Sequence, residues 1–415
     1  MNTTTLAIDS TSLADCVCDA GLYKDPYGFC VQCTPGSSSP IDGQGYDACT
    51  CGGGSYKNND IYSTPGVSCG VVVVGGPDWT CVLFTDIGKV KCWGSNQYGQ
   101  AGYGVLSGAT NFGCSASQST VNNLPWIDFG LNPMVVSVQM GGEHTCVLFA
   151  NGKLKCFGAN NNGQLGTSDT DSRYFDTYLK STAANDFVDV GTGRTVVSVH
   201  TLSYSTCVLL DNQQTKCWGY GGMGQLGNGA TSSLGRTANS MGNNLVVVDL
   251  GTNRHAVRLF PLGYSVCALL NTAELKCWGR NTYYQLGMGI ASSNNIGDAP
   301  GEMGDNLIAI ALPTGRTVIG LSGGEYHVAV IFDDHTMTAW GNPQDGTGAA
   351  LGNIVGGPVG DQLTDMGNNL NIIDLGIGRK PVQVHTSAYS TTVLFDNGDV
   401  AAFGGNYKGL LGNGA

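Results

Sequence analysis

The sequence predicts an all-β chain: a β-propeller of six to seven four-stranded blades behind an N-terminal disulfide-rich, loop-rich module. Three observations carry that expectation. One hairpin-like stretch is written six times at a steady spacing, its apolar residues alternate with a period of two, and its cysteines fall in pairs ten or eleven apart.

The aromatics Trp93, Phe157, Trp218, Trp278, Trp340 and Phe403 each precede a glycine and stand 64, 61, 60, 62 and 63 residues apart. A fixed period of this size is the mark of a repeat architecture. In the copy at 143–166, Thr145, Val147 and Phe149 alternate with Cys146 and Leu148. Asn151-Gly152 then supplies a hairpin turn, and Lys153 to Phe157 alternates again. A Gly/Asn/Ser-rich loop follows the Gly-Gln-Leu-Gly element, then an apolar run such as Leu245–Val248, a turn, and a second run such as Val196–Val199. Each period therefore holds about four short strands without helical periodicity. Four-stranded sheets repeated radially close into a propeller, which leaves only short edges.

The cysteines agree with the hairpin. Cys146 and Cys156, Cys207 and Cys217, and Cys267 and Cys277 are ten apart, and Cys81 and Cys92 eleven. Each pair stands at matching distance from its turn, where opposed residues are close enough to bridge. The fifth copy has Ala329 and Ala339 at these positions and the sixth Thr392 and Ala402, so both members go together.

Gly323-Gly324-Glu325-Tyr326-His327, Trp278-Gly279-Arg280-Asn281 and Gly163-Gln164-Leu165-Gly166 give the repeat its signature. This order resembles the repeat of the regulator of chromosome condensation family, shared with the β-lactamase inhibitor protein propeller, over residues 70–415. The resemblance implies a propeller. It implies little about activity, because such propellers serve as exchange factors, inhibitors and scaffolds alike.

Residues 1–15 form a polar N-terminal segment in which Asn2-Thr3-Thr4 fits a glycan acceptor. Residues 16–69 change character: Cys16, Cys18, Cys30, Cys33, Cys49 and Cys51 crowd a stretch too poor in apolar residues for a core. Such a module is stapled by disulfides, and six cysteines allow fifteen connectivities. Zinc at Cys30-x-x-Cys33 is disfavoured because no histidine lies nearby. The pattern resembles the short cysteine-rich modules of ephrin-receptor or growth-factor-receptor type. Cys69 and Cys114 belong to neither pattern and remain open between bridging each other and tying the module to the first blade.

Composition narrows the partners. Charged residues make up 12% of the chain and its net charge is −12, which argues against nucleic acid or an anionic membrane surface. Sixteen cysteines, mostly paired, point to an oxidising compartment. Met1–Ser10 lacks the basic start and apolar stretch of a signal peptide, so a mature form or a fragment is expected. No apolar run is long enough to span a bilayer. The blades do not count evenly: six hairpins accompany only five of the Asn-Leu-Val-Val-Val-Asp-Leu type runs. An unpaired edge there would invite strand addition.

No catalytic, cofactor or metal site is expected, and none of the familiar motif spacings is present. His144 and His327 share a slot that holds Ser205, Ser265 and Ser390 elsewhere, which suggests a hydrogen bond within the blade. The loops after Gly-Gln-Leu-Gly vary most, and function usually resides in such loops. Their aromatics Tyr174, Phe175 and Tyr178, with Tyr283 and Tyr284, are the candidate protein-binding residues. The expected role is that of a non-enzymatic extracellular or cell-surface protein acting by contact with other protein chains. It would be a structural or adhesive subunit of a filament, cell coat or flagellar hair, self-associating or meeting an extracellular partner. The alternative is a secreted binding module or inhibitor with one protein target, and a small-GTPase exchange factor is more remote.

Overall fold

The computed structural model describes residues 71–103, 111–112, 124–130, 134–173, 176–181, 183, 186–290, 292–342, 348–352, 357–406 and 409–412, with four short strands between 22 and 51. Those four pair as Leu22–Lys24 with Cys30–Gln32 and Ser37–Ser38 with Thr50–Cys51. The cysteine pairing predicted for residues 16–51, the Asn2 sequon, Cys69 and Cys114 lie outside the described residues.

Each of the six copies folds as a hairpin with one strand before it. The three strands are Val71–Gly75, Trp79–Phe84 and Lys89–Ser95 in the first blade, and Val135–Met140, His144–Phe149 and Leu154–Gly158 in the second. The third has Val196–Thr201, Ser205–Leu210 and Thr215–Gly219, and the fourth Ala256–Leu262, Ser265–Leu270 and Leu275–Gly279. The fifth has Val318–Gly323, His327–Phe332 and Met337–Gly341, and the sixth Pro381–Thr386, Ser390–Phe395 and Val400–Gly404. All pair antiparallel in chain order. Cys81 faces Cys92, Cys146 faces Cys156, Cys207 faces Cys217 and Cys267 faces Cys277, each bonded through sulfur. Ala329 with Ala339 and Thr392 with Ala402 hold the same register without the bond.

The fourth strand is shorter than the sequence suggests. The first blade has one, Asn111–Phe112. In the third and fourth blades two separated residues touch the outer edge instead: Leu234 pairs Gly219 and Val247 pairs Lys216, then Ile296 pairs Gly279 and Ala309 pairs Lys276. The apolar runs cannot extend because turns close both ends. A 3-10 turn at Gly242–Asn244 precedes Leu245, and the Asp249 carboxylate accepts the Gly251 N–H beyond Val248. Only about one residue of the run stays beside the hairpin.

Burial lies between blades. Five hydrophobic clusters each join side chains of two consecutive blades; one unites Phe260, Cys267 and Leu275 of the fourth with Val318, Val330 and Trp340 of the fifth. Trp218, Trp278 and Trp340 are fully buried in them, so burial rather than ligand contact accounts for these rings. Their indole N–H groups donate to the carbonyls of Gln164, Gln225 and Gln285 one blade back, at 3.0, 3.1 and 3.1 Å. Each such carbonyl belongs to the Gly-Gln-Leu-Gly type element, and Thr206 Oγ1 donates to that of Gln164 as well, at 2.9 Å. The glycine after the tryptophan is obligatory. Gly219 has φ +102°, and a Cβ there would meet the Tyr204 carbonyl at 2.5 Å.

The six blades surround one axis. A cavity of about 620 Å³ is lined by Gly75, Gln139, Thr201, Pro261, Gly323 and His385, one from the first strand of each blade. Among the described residues no hydrophobic cluster joins the sixth blade to the first. Leu410 is 45% and Val400 64% exposed on the sixth blade, Val73 is 56% exposed on the first, and Trp93 and Phe403 are only half-buried.

Candidate functional site: the tyrosine-lined channel mouth

The turn joining the first two strands lines the axial cavity in the first four blades, through Gly76, Gly142, Ser203 and Gly263. Backbone bonds link these turns: the Gly142 N–H donates to the Ser203 carbonyl at 2.7 Å and the Ser203 N–H to the Gly263 carbonyl at 2.9 Å. The residue just before the second strand is Asp78, Glu143, Tyr204, Tyr264, Tyr326 and Tyr389 in turn. A second contribution comes from the Trp-Gly-x-Asn loop, which adds Tyr98, Tyr220, Arg280 and Tyr283. That loop is braced by its asparagine, whose side-chain oxygen accepts the N–H five residues on, as Asn281 does from Leu286 at 3.1 Å.

The tyrosines stack from blade to blade. Ring centroids are 6.2 Å apart for Tyr204 and Tyr264, 6.5 Å for Tyr220 and Tyr264, 4.6 Å for Tyr283 and Tyr326, and 5.4 Å for Tyr326 and Tyr389. Edge and tilted contacts of this kind hold rings in place. All are half-buried, with the acidic residues Asp78 and Glu325 exposed among them. Tyr326 is pushed up to about 12, first by its hydrogen bond with Tyr389 and then by burial and Glu325. Burial also raises Tyr204, with Glu143 adding to it. These phenols therefore stay protonated and can donate as well as stack.

Of the residues singled out by sequence, Tyr283 stands in this row. Tyr284 lies beside it with φ +58°, where the other blades use Gly163 or Gly224 at φ +80° and +77°. Tyr178 lies on the outer flank instead: its hydroxyl donates to the Cys156 carbonyl at 3.1 Å and its ring lies under Lys155 and Arg173. Tyr174 and Phe175 fall outside the described residues. The row itself escaped the sequence reading, although a tyrosine in four of six equivalent slots was the available signal.

The histidine slot bonds across blades, not within one. His144 Nε2 lies 3.0 Å from Thr206 Oγ1, and Thr206 has given its proton to the Gln164 carbonyl. The histidine must therefore donate from Nε2, which leaves Nδ1 a buried acceptor without a partner. His327 repeats the arrangement with Thr391 at 2.8 Å. The serines that replace them stay within their blade, as Ser205 Oγ does by donating to the Tyr220 carbonyl.

Buried lysines are the second feature that sequence reasoning passed over. Lys155 Nζ donates to the carbonyls of Tyr178, Leu179 and Ser181 at 3.0, 3.1 and 2.7 Å. Lys216 caps those of Val190 and Gly242, and Lys276 those of Leu250 and Gly304. Each lysine sits just before the second cysteine of its hairpin and pins the loop that replaces the fourth strand. Burial lowers Lys155 to about 8. Among the described residues no group of three or more His, Cys, Asp or Glu side chains is arranged for a metal, and no helix is long and apolar enough to cross a membrane.

Comparison with known proteins agrees with the geometry. The family model "Regulator of chromosome condensation (RCC1) repeat" matches residues 72–100 and 135–164. The human E3 ubiquitin-protein ligase HERC2 is 24% identical over 320 residues, 75% of this chain and 6% of the ligase. The ultraviolet-B receptor UVR8 of Arabidopsis thaliana is 26% identical over 285 residues, 68% of this chain and 55% of the receptor. The chain thus spans less than two thirds of either relative. Among solved structures, human WBSCR16 superposes with a TM-score of 0.60 at 17% identity, over 87% of this chain and 81% of that one. Prp20p of Saccharomyces cerevisiae does so with 0.51 at 18% identity, over 80% and 67%. Residues 72–100 and 135–164 match repeats of the regulator of chromosome condensation type, and the chain folds as a β-propeller of that kind.

Proposed function

We propose that this chain is an extracellular docking disc that works by protein–protein contact through its tyrosine-lined face. The observation that carries the reading is the row of stacked, half-exposed tyrosines around the channel mouth. Aromatic residues dominate the anchors of protein interfaces, and rings already held by their neighbours lose little freedom on binding. Four hairpin disulfides support an oxidising setting. Prp20p, whose fold is similar, has been described with its binding to Gsp1p and histones, which supports protein contact in general. An exchange-factor role is compatible with the repeat type, but four disulfides suit a reducing compartment poorly.

The test is cross-linking of the native protein in its own extracellular material, comparing wild type with Tyr204→Ser/Tyr264→Ser and with an outer-flank change, Lys180→Ser. The reading expects the tyrosine pair to abolish the cross-linked complex and the flank change to spare it. A complex that survives the tyrosine pair with the fold intact refutes it.

A structural subunit that self-associates is the second reading. It is favoured by the exposed apolar side chains Val73, Val400 and Leu410 on the two blades that flank the loosely packed junction. Light scattering over a concentration series separates the two: a filament subunit polymerises, whereas a docking module stays monomeric.

A further inference from the structure

The last two blades are built without the bond that staples the other four. No cysteine follows Cys277 in the sequence, and the paired slots hold Ala329 with Ala339 and Thr392 with Ala402. The sixth blade is the less protected of the two. Its third strand, Val400–Gly404, is exposed or half-buried along its whole length, whereas Met337–Gly341 of the fifth is buried throughout. At the channel mouth these same two blades bring a pair of phenols together.

Tyr326 and Tyr389 stand at equivalent places, just before the second strand of their blades, and their hydroxyls share a hydrogen bond. The ring centroids are 5.4 Å apart and the planes 48°. Bonds between the blades fix the pair from both sides. Ahead of it the Thr386 N–H donates to Ser322 Oγ at 3.0 Å, and behind it His327 Nε2 lies 2.8 Å from Thr391 Oγ1. Gly324 comes so close to the Ser387 carbonyl that a Cβ would not fit between them. A phenol hydroxyl is flanked by the two ortho carbons, so a bond from hydroxyl to hydroxyl sets two ortho edges side by side. Those carbons carry unpaired spin once a phenol has lost an electron and a proton. A direct carbon–carbon bond brings the centroids about 1 Å nearer, the amplitude of ordinary thermal motion in a folded protein. Neighbouring contacts in the row are arranged differently. Tyr283 meets Tyr326 edge against face at 78°, and the Tyr264 hydroxyl is bonded to Ser203.

We propose that Tyr326 and Tyr389 are a modification site, where a haem peroxidase using hydrogen peroxide couples the two rings into a dityrosine that staples the fifth blade to the sixth. Each phenol gives up one electron and its hydroxyl proton, and the two radicals join through one ortho carbon of each ring. The hydrogens on those two carbons then pass as protons to the ring oxygens and restore both hydroxyls. The two electrons and two protons released reduce one hydrogen peroxide to two waters, so the protein loses two hydrogen atoms in all. The staple closes 63 residues of chain, against 10 in a hairpin disulfide, and so restricts the unfolded chain more. The proposal rests on the extracellular reading for the setting in which peroxidase and peroxide meet the protein; the coupling itself belongs to the folded chain.

The experiment treats the full chain with a haem peroxidase and one equivalent of hydrogen peroxide, at a dilution that makes coupling between molecules slow. Blue dityrosine fluorescence is expected in the monomer fraction, with a linked peptide pair carrying Tyr326 and Tyr389 that is lighter by two hydrogens than its parts. The treated protein should melt a few degrees higher than the untreated. Tyr389→Phe and, separately, Tyr326→Phe keep the ring and remove one hydroxyl, and each is expected to cut the monomer fluorescence about tenfold or more, because the favoured partner is gone. Folded monomer without fluorescence, linkage at other tyrosines instead, or a yield unchanged in both variants overturns the site. Those results leave the docking face standing, because its own test turns on Tyr204 and Tyr264 and needs no oxidant.

Discussion

Trp278 donates its indole N–H to the carbonyl of Gln225, 3.1 Å away and one blade back. The bond crosses the layer where the protein keeps its core, so neighbouring blades are held by packing and by a buried hydrogen bond together. Phe157, fully buried in the second blade, shows that a ring without the donor fits this slot. Trp278→Phe should therefore cost about 1–2 kcal/mol, the scale of one buried hydrogen bond and a small loss of packing. Trp278→Ala should cost about 3–5 kcal/mol. Equilibrium denaturation of both variants checks the ratio.

The hairpin bridges add to this without creating it. Ala329 and Ala339 keep the same register in a fully formed fifth blade. Replacing Cys207 and Cys217 together by alanine should leave the fold intact and lower stability by about 2–3 kcal/mol on the loop-length rule. Thermal melts with and without reductant would measure it.

Acid should weaken the protein in two stages. Burial holds His144 and His200 down to about 3, well below the ordinary histidine value. The unfolded chain therefore binds more protons than the folded one from about pH 6.5 downward, and stability falls as pH drops through that window. Glu274 is held at about 2 by its hydrogen bonds from Arg254 and then Thr272, so its contribution is lost only below about pH 4.5. The melting temperature should decline between pH 6.5 and 4.5 in wild type. The decline should be shallower in His144→Gln, which keeps a donor and does not titrate.

The lysine behind the second, third and fourth hairpins is a stability element disguised as a surface residue. Lys216→Met keeps the length and removes the donor to Val190 and Gly242. The Val190 carbonyl then loses its lysine donor and the Gly242 carbonyl keeps only the Leu245 N–H at 3.3 Å, at a cost of about 1–3 kcal/mol. Lys89→Met, at an exposed position, should fall within about 0.5 kcal/mol of wild type. Urea melts of the pair separate the two outcomes.

The hairpins were legible in the sequence because alternation, an Asn-Gly turn and paired cysteines all pointed to one register. The fourth strand was misjudged because Leu245–Val248 has strand composition, while the turns that clip it depend on Gly242 and Asp249 acting from outside the run. Lys155, Lys216 and Lys276 read as charged, outward residues, and only the loop folding back over them turns their ammonium groups inward. The tyrosine row was hidden for another reason. Tyr204, Tyr264, Tyr326 and Tyr389 stand about sixty residues apart in the chain, and nothing local says that a ring will bring them to one face. His144 likewise finds Thr206 only across a blade boundary.

The most direct test of the account is mass mapping, without reduction, of the cysteines in protein isolated from its natural source. The account predicts peptides linked as Cys81–Cys92, Cys146–Cys156, Cys207–Cys217 and Cys267–Cys277. Free thiols at those positions would contradict the bridged hairpin and, with it, the extracellular docking role.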